Sequence, residues 1–436
     1  MSDTLAEPTE EMAFLDLHKK FIEANKPNSA LLRLHEAALD RFETLGFPHS
    51  KHEMYTFVNT KNLVATPFAI SNTSTSIPEE VIASHIFSGC ENSCLVFVNG
   101  VYNPSLSKLQ AIGSSVKISS MSEKDDLDQV IASLENENDV FACLANAFCA
   151  DAMVVEISDK VKVSVPIQVL FISTGDVSAP VMHSSRLIWK VGKLAELKVI
   201  EKYVGVQAGY FNNAVQDWMI SEGAGVVLTQ VQSDPFDAWN FSKTRVYQKR
   251  NSRFHSTNSS AGSALVRHHF EVRLEEEGAE LILNGVSVLG GKEQVHNFVR
   301  IHHEAPQCVS HQHFKNVIND EGRSSFDGTV IVNQGAQLTN SNQLINNLML
   351  SNNCHADNKP NLMIFADDVK CTHGATIGQI DDEQMFYLQT RGLSEKFAKE
   401  LLTRGFAESI IQTIEFPEVV NELSNTLLKK LEASNV

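Results

Sequence analysis

The order of apolar and polar residues divides the chain into stretches of different character. Near the start, LLRLHEAALDRFETLGFP places Leu31, Leu34, Ala38, Phe42 and Leu45 on one face at helical spacing, and Gly46 followed by Pro48 predicts a stop. From about Asn62 to Asp159 the pattern is mixed. CLVFVNGVYN predicts a strand, a turn glycine and an aromatic, whereas DVFACLANAFCADAM predicts a buried helix. From about Val161 to Gln379, short β-branched or aromatic runs recur between Gly, Asn and Asp, among them VSVPIQVLFIS, AELKVIEKYVG, GVVLTQVQ, AELILNGVSVLG and NLMIFADD. These predict strands with no long helices between them.

After Gln379 helical spacing returns. Asp381 with Gln384 predicts a capped start to DEQMFYLQTRG, which Gly392 closes. Ser394 caps EKFAKELLTRG, and Pro417 precedes EVVNELSNTLLKKLEA. The resulting helical tail has apolar faces (Met385 with Leu388, Phe397 with Leu401, Ile410 with Ile414) that need a partner. Lys429 and Lys430 suit the C-terminal dipole of its last helix.

Within the strand-rich stretch, a small-residue corner followed by an apolar run repeats at Ala195, Ala224, Ala279 and Ala336. The intervals of 29, 55 and 57 residues are close to one and two copies of a unit just under thirty. Stacked coils of a β-solenoid would produce that period, each coil burying its apolar strands on the next. A β-sandwich predicts similar strands without the repeat.

Composition narrows the function. The chain of 436 residues carries 53 acidic and 36 basic residues, a formal charge of −17 that disfavours nucleic acid and anionic lipid. The acidic N-terminus MSDTLAEPTEEM lacks the features of a signal or transit peptide, and no apolar run approaches a membrane span. The seven cysteines form no CxxC pair, which argues against a disulfide framework and predicts a reduced, cytoplasmic protein. There is no GxxxxGK[ST], GxSxG, HExxH or GxGxxG, so the easily argued enzyme classes fall away.

Soft metal ligands remain. His296, His302, His303, His311, His313, His355 and His373, with Cys308, Cys354 and Cys371, all fall between residues 296 and 373. Neutral imidazole and thiolate together suit iron, zinc or copper. Cys308, which follows Pro306 at a coil corner, reads as a small core residue. Cys371 and His373 stand at i and i+2, on one face of a strand, with Gly374 behind them to let the backbone turn away. Cys354, 17 residues before Cys371, would return to them if one coil of a solenoid closed between them. The residues alone leave open whether this is a metal or sulfur site or a tight turn.

ADDVKCTHGATIGQIDDEQMFYLQTRG closely resembles the C-terminal signature of the SufB/SufD scaffold family of the SUF iron–sulfur cluster assembly system, on its SufD side. CLVFVNGVYNPSLSKL, CLANAFCADAMVVEI, HEAPQCVSHQHFKNVINDEGRSSFDGTVIV and LMLSNNCHADNKPNLMIFADDVK are similar to other segments of that family. So is GFPHSKHEMYTF, with Tyr55 and Phe57 replacing its usual tryptophan and tyrosine. SufB-like sequences carry a glutamate where this chain has Gly374. Cys354 stands where SufB has its sulfur-accepting cysteine and where SufD usually has another residue.

The resemblance implies a mainly β protein. Its core is a right-handed parallel β-helix over 161–379, after an N-terminal helical domain (1–60) and a mixed α/β connection (61–160), and before a C-terminal helical domain (380–436). It implies a scaffold, not an enzyme, that pairs with SufB through the β-helix. It also implies docking of the ATPase SufC on the C-terminal helices, for which Met385, Phe386, Leu388, Arg391, Phe397 and Leu401 are the expected contacts. His373, Cys371 and, more weakly, Cys354 are the expected ligands of a transient iron–sulfur cluster or iron at the SufB–SufD junction. A reduced flavin in the complex is compatible with the resemblance, though no residue here identifies its site, and a homodimer is a further possibility for the isolated chain. The rival expectation is a mononuclear metalloenzyme whose ligands lie in the His296–His313 cluster.

Overall fold

The computed structural model describes residues 10–49, 51–71, 76–121 and 127–433; the first nine residues of the acidic N-terminus lie outside it. Strands dominate, and they wind into a parallel β-solenoid of about seven turns between N- and C-terminal helices. Two ten-stranded sheets face each other, and from Cys149–Ile157 onward each strand pairs with the next but one in the sequence. Glu196 pairs with Gly225, Gly225 with Arg253, Arg253 with Glu280, Glu280 with Val309, Val309 with Asn340 and Asn340 with Lys370.

The corner that precedes this ladder explains the repeat in the sequence. Lys160, Leu194, Gly223, Asn251, Gly278, Gln307 and Leu338 all have positive φ. The backbone N–H of each donates to a carbonyl in the next coil, from Lys193 for Lys160 to Asp368 for Leu338. This turns the chain while leaving no corner donor unpaired. The residue that follows points into the core and must be small: Ala195, Ala224, Ser252, Ala279 and Cys308 are fully buried. Cys308 is therefore a core residue. Ala336 is not the next member of the stack, because the coil from Val309 to Asn340 is longer and puts Thr339 in that place.

The interior is apolar on one side and polar on the other. Trp189 and Trp218 stack face to face at 4.5 Å on the apolar side. On the polar side Asp234 accepts from Gln232 (2.7 Å) and Asn240 (2.6 Å), and His268 bridges Ser242 and Ser260, each at 2.9 Å.

The N-terminal helices Glu10–Asn25 and Ser29–Leu45 pack with the helix Val140–Ala147 on the outer face of one sheet. Leu31, Leu34, Ala38 and Phe42 are buried as their spacing predicts, and Gly46 ends the helix at φ 62°. DVFACLANAFCADAM is only half helical. Helix stops at Ala147 and Cys149–Ile157 continues as a strand, because it pairs in parallel with Val181–Val191 and forms part of the first coil.

At the other end of the chain, Asp381 caps Asp382–Thr390 and Ser394 caps Glu395–Ile411, as predicted. That second helix runs past Gly405 rather than ending there. Its continuation lays Ala407, Ile410 and Ile411 on the outer face of the other sheet, against Val286, Val288 and Val317. Ile410 and Ile414 thus find their partner within the chain. So does the last helix, Pro417–Ala433, where Lys430 pairs with Glu293 and donates to the Val288 carbonyl at 3.0 Å.

The two ends of the solenoid differ. At the first coil, Val101–Tyr102 and Val116–Ser120 pair antiparallel with their neighbours and close the end. At the last, His355–Ile364 and Lys370–Gly378 each pair on one side, and among the described residues no strand meets their other edges.

Candidate functional site

The open end exposes the interior of the last coil. Inward-facing positions of Asn340–Met349, such as Ser341, Gln343 and Ile345, are buried. Their ladder partners in the last strand are Cys371, His373 and Ala375. Cys371 and His373 therefore share the inward-facing side, as their spacing predicts, but with no further coil above them. Cys371 is half-buried against the apolar core, and burial pushes its thiol up while the Ser341 backbone N–H pulls it partly back. His373 is exposed, and its Nδ1 lies 2.9 Å from the Pro360 carbonyl oxygen on the facing strand. A carbonyl only accepts, so Nδ1 is the donor in this contact, and in the neutral imidazole Nε2 keeps its lone pair.

Pro360 is a part of the site that sequence reasoning missed. The signal was a proline inside a strand run, which belongs on an edge strand where its missing N–H breaks no ladder.

Cys354 does not join this pair. The coil closes, but Cys354 is at the start of one strand and Cys371 at the start of the next, so the two occupy opposite corners. From Cys354 to Pro360, which faces His373, is six strand residues or roughly 20 Å. Cys354 is buried, and its thiol donates to the carbonyls of Ser351 (3.2 Å) and Ile318 (3.3 Å).

The histidines of the 296–313 cluster diverge as well. His296 is buried on the outer face of one sheet and bonds Ser325, whereas His303 points into the core and bonds Ser310. His311 and His313 lie on the outer face of the other sheet, where His313 bonds Asn346 at 3.1 Å. These histidines therefore do not converge on one point, and no group of three or more His, Cys, Asp or Glu among the described residues is arranged to hold a metal ion.

A second surface lies on the tail. Phe386, Tyr387, Phe397 and Leu401 are 69%, 56%, 52% and 44% exposed, a density of bare apolar side chains unlike the rest of the helical surface. Arg391 is exposed beside them with its guanidinium over the Tyr387 ring, whereas Met385 and Leu388 are half-buried. Tyr387 was not anticipated, although it sits between two residues that were.

Comparison with known proteins agrees with this architecture. The family profile described as the SUF system FeS cluster assembly SufBD core domain matches residues 171–406, and that of the SufBD protein N-terminal region matches residues 9–169. An iron–sulfur cluster assembly SufBD family protein of Synechocystis is 30% identical over 403 residues, covering 89% of this chain and 88% of its own. The iron–sulfur cluster assembly protein SufD of Escherichia coli is 26% identical over 372 residues, with 85% and 86% covered. A chloroplastic protein of Arabidopsis thaliana, ABCI7, is 29% identical over 299 residues, with 66% and 62% covered.

Proposed function

We propose that this chain, which belongs to the SufB/SufD family of the SUF iron–sulfur cluster assembly system, is a non-catalytic scaffold whose open solenoid end is one half of a cluster-building junction. The observation that carries the reading is the pair Cys371 and His373, on the inward-facing side of an uncapped coil with one imidazole nitrogen already fixed by Pro360. The other half would come from SufB, laid edge to edge on His355–Ile364 and Lys370–Gly378 so that their unpaired backbone groups are satisfied. Met363, Ile364, Phe365 and Ile377, all exposed at this end, would be buried by the same contact.

Iron and sulfide are the cargo here. A site to which this chain offers one thiolate and one imidazole ligates a cluster only partly, which suits release to an acceptor; a closed set of four cysteines suits a resident cofactor. The exposed faces of the two tail helices would take SufC. Their continuation is packed on the solenoid, which would carry a pull on Phe386 or Phe397 to the sheet that contains Cys371. The seven unpaired cysteines are consistent with a reducing, cytoplasmic setting.

Anaerobic co-expression of the chain with SufB and SufC, followed by native mass spectrometry, tests the reading. A complex holding this chain, one SufB and the ATPase is expected. A chain that stays alone and holds one metal ion tightly would overturn it.

A further inference from the structure

Beneath His373 the core contains two glutamines with nothing to bond. Gln312 pairs in the ladder with Gln343, and Gln343 with His373, so the three side chains stack inward from the open end. Gln312 is 1% exposed and Gln343 0%. All four amide atoms of the two residues lack a hydrogen-bond partner within the protein. Nearly every buried polar side chain in folded proteins has such a partner, because a desolvated amide that stays unpaired is costly.

The surroundings show why no protein group fills the need. Across the core, Gln343 lies against Gly328, where an added Cβ would come within 3.0 Å of its Nε2. Pro360 follows Gly328 in the ladder and faces His373 in the same way. The backbone groups on both sides are engaged in the sheet ladders, and neither amide bonds them. Beside the glutamines runs a second polar stack, with His303 Nε2 to Ser310 Oγ and Ser310 Oγ to Ser341 Oγ, each at 2.9 Å. Ser341 in turn lies under Cys371. The layer below the open end is thus polar on two adjacent columns and leaves donors and acceptors unfilled, which is the environment that retains ordered water.

We infer that the two coils beneath the open end hold ordered water bound by the Gln312 and Gln343 amides, a hydrated floor beneath the mouth at His373. Water suits the site because each amide offers both a donor and an acceptor, and water is itself both. A floor of this kind would remain inside when a partner covers the end. Retention under a covering partner rests on the scaffold reading; the water site does not.

Two measurements on the full chain, with neither metal nor partner, test it. A crystal structure at about 1.5 Å should show water within hydrogen-bond distance of both amides, and a floor without water, or amides bonded to each other, would overturn the inference. In parallel, the Gln312→Met/Gln343→Met variant removes the amides at nearly constant volume. A hydrated floor predicts a melting midpoint lowered by about 1–3 °C; an unchanged or raised midpoint means the amides were dry and contradicts it. Either failure leaves the scaffold reading intact, because no iron, sulfide or partner enters the test.

Discussion

His373 and Pro360 face each other across the open end of the solenoid, with imidazole Nδ1 2.9 Å from the proline carbonyl oxygen. The contact joins the two last strands, one from each sheet, and aims the ring. It also fixes which nitrogen is free, so that an exposed residue on an edge strand has a defined orientation before any partner or cargo arrives.

Cysteine reactivity distinguishes the two cysteines of the last coil. Cys371 is half-buried, whereas Cys354 and the other five are buried. Iodoacetamide under native conditions should label Cys371 well before any other thiol, and Cys371→Ser should remove that first label. Rapid labelling of Cys354 would show that its corner opens in solution and return it to the candidate site.

The N-terminal region is held to the solenoid by a buried carboxylate. Asp139 accepts from Tyr55 Oη (2.5 Å), Arg267 Nη1 (2.7 Å) and His269 Nδ1 (2.6 Å). Burial alone would push Asp139 up, yet Arg267 and His269 hold it well below the usual carboxylate range. Asp139→Ala leaves the Arg267 guanidinium buried without its counter-charge. A loss of about 3–5 kcal/mol in urea unfolding is expected, and a loss below about 1 kcal/mol would mean that the contact is incidental.

Buried histidines set the response to acid. Burial holds His183 and His296 at about 3, and holds His35, His268 and His303 at about 4. In the unfolded chain these groups take up protons near 6.5, so below that pH the unfolded state binds more protons and gains. Each contributes about 1.4 kcal/mol per pH unit to the loss until its folded value is reached. Glu201 and Asp234, raised by burial, act in the opposite sense: their contribution is full below the unfolded carboxyl value and is lost as pH rises through the folded one. Between pH 6.5 and 5 the histidines dominate, and the thermal midpoint should fall steadily. A flat midpoint over that window would show that the polar core is not sealed.

The tail surface separates binding from folding. Phe386→Ser with Phe397→Ser changes two exposed side chains and should leave the midpoint within about 1 °C while abolishing co-purification with SufC. Ile410→Ser, by contrast, places a hydroxyl in the apolar contact with the solenoid and should destabilise the chain by about 2–4 kcal/mol. Retention of SufC by the double variant would move the docking surface elsewhere.

What the sequence made legible was what depends on local chemistry. The caps at Asp381 and Ser394, the buried face of Ser29–Leu45 and the small residues behind the turning corners at Ala195, Ala224 and Ala279 could all be read from spacing. Cys371 and His373 on one face followed from the period of a strand. What was not legible depends on where coils begin. One strand length decides that Cys354 and Cys371 take opposite corners, and nothing in the local sequence gives that phase. The strand hidden in CLANAFCADAM and the helix running through Gly405 were likewise settled by tertiary pairing over local propensity.

His373 carries the assignment of the open end most directly. Iron and acid-labile sulfide should be measured in the anaerobically purified complex with SufB and SufC, comparing the wild type with His373→Ala. The variant side chain is exposed, so the complex is expected to form in the same yield and to lose most of its iron and sulfide. A variant complex that carries the wild-type amount of both would contradict the assignment of the open end as the place where clusters are built.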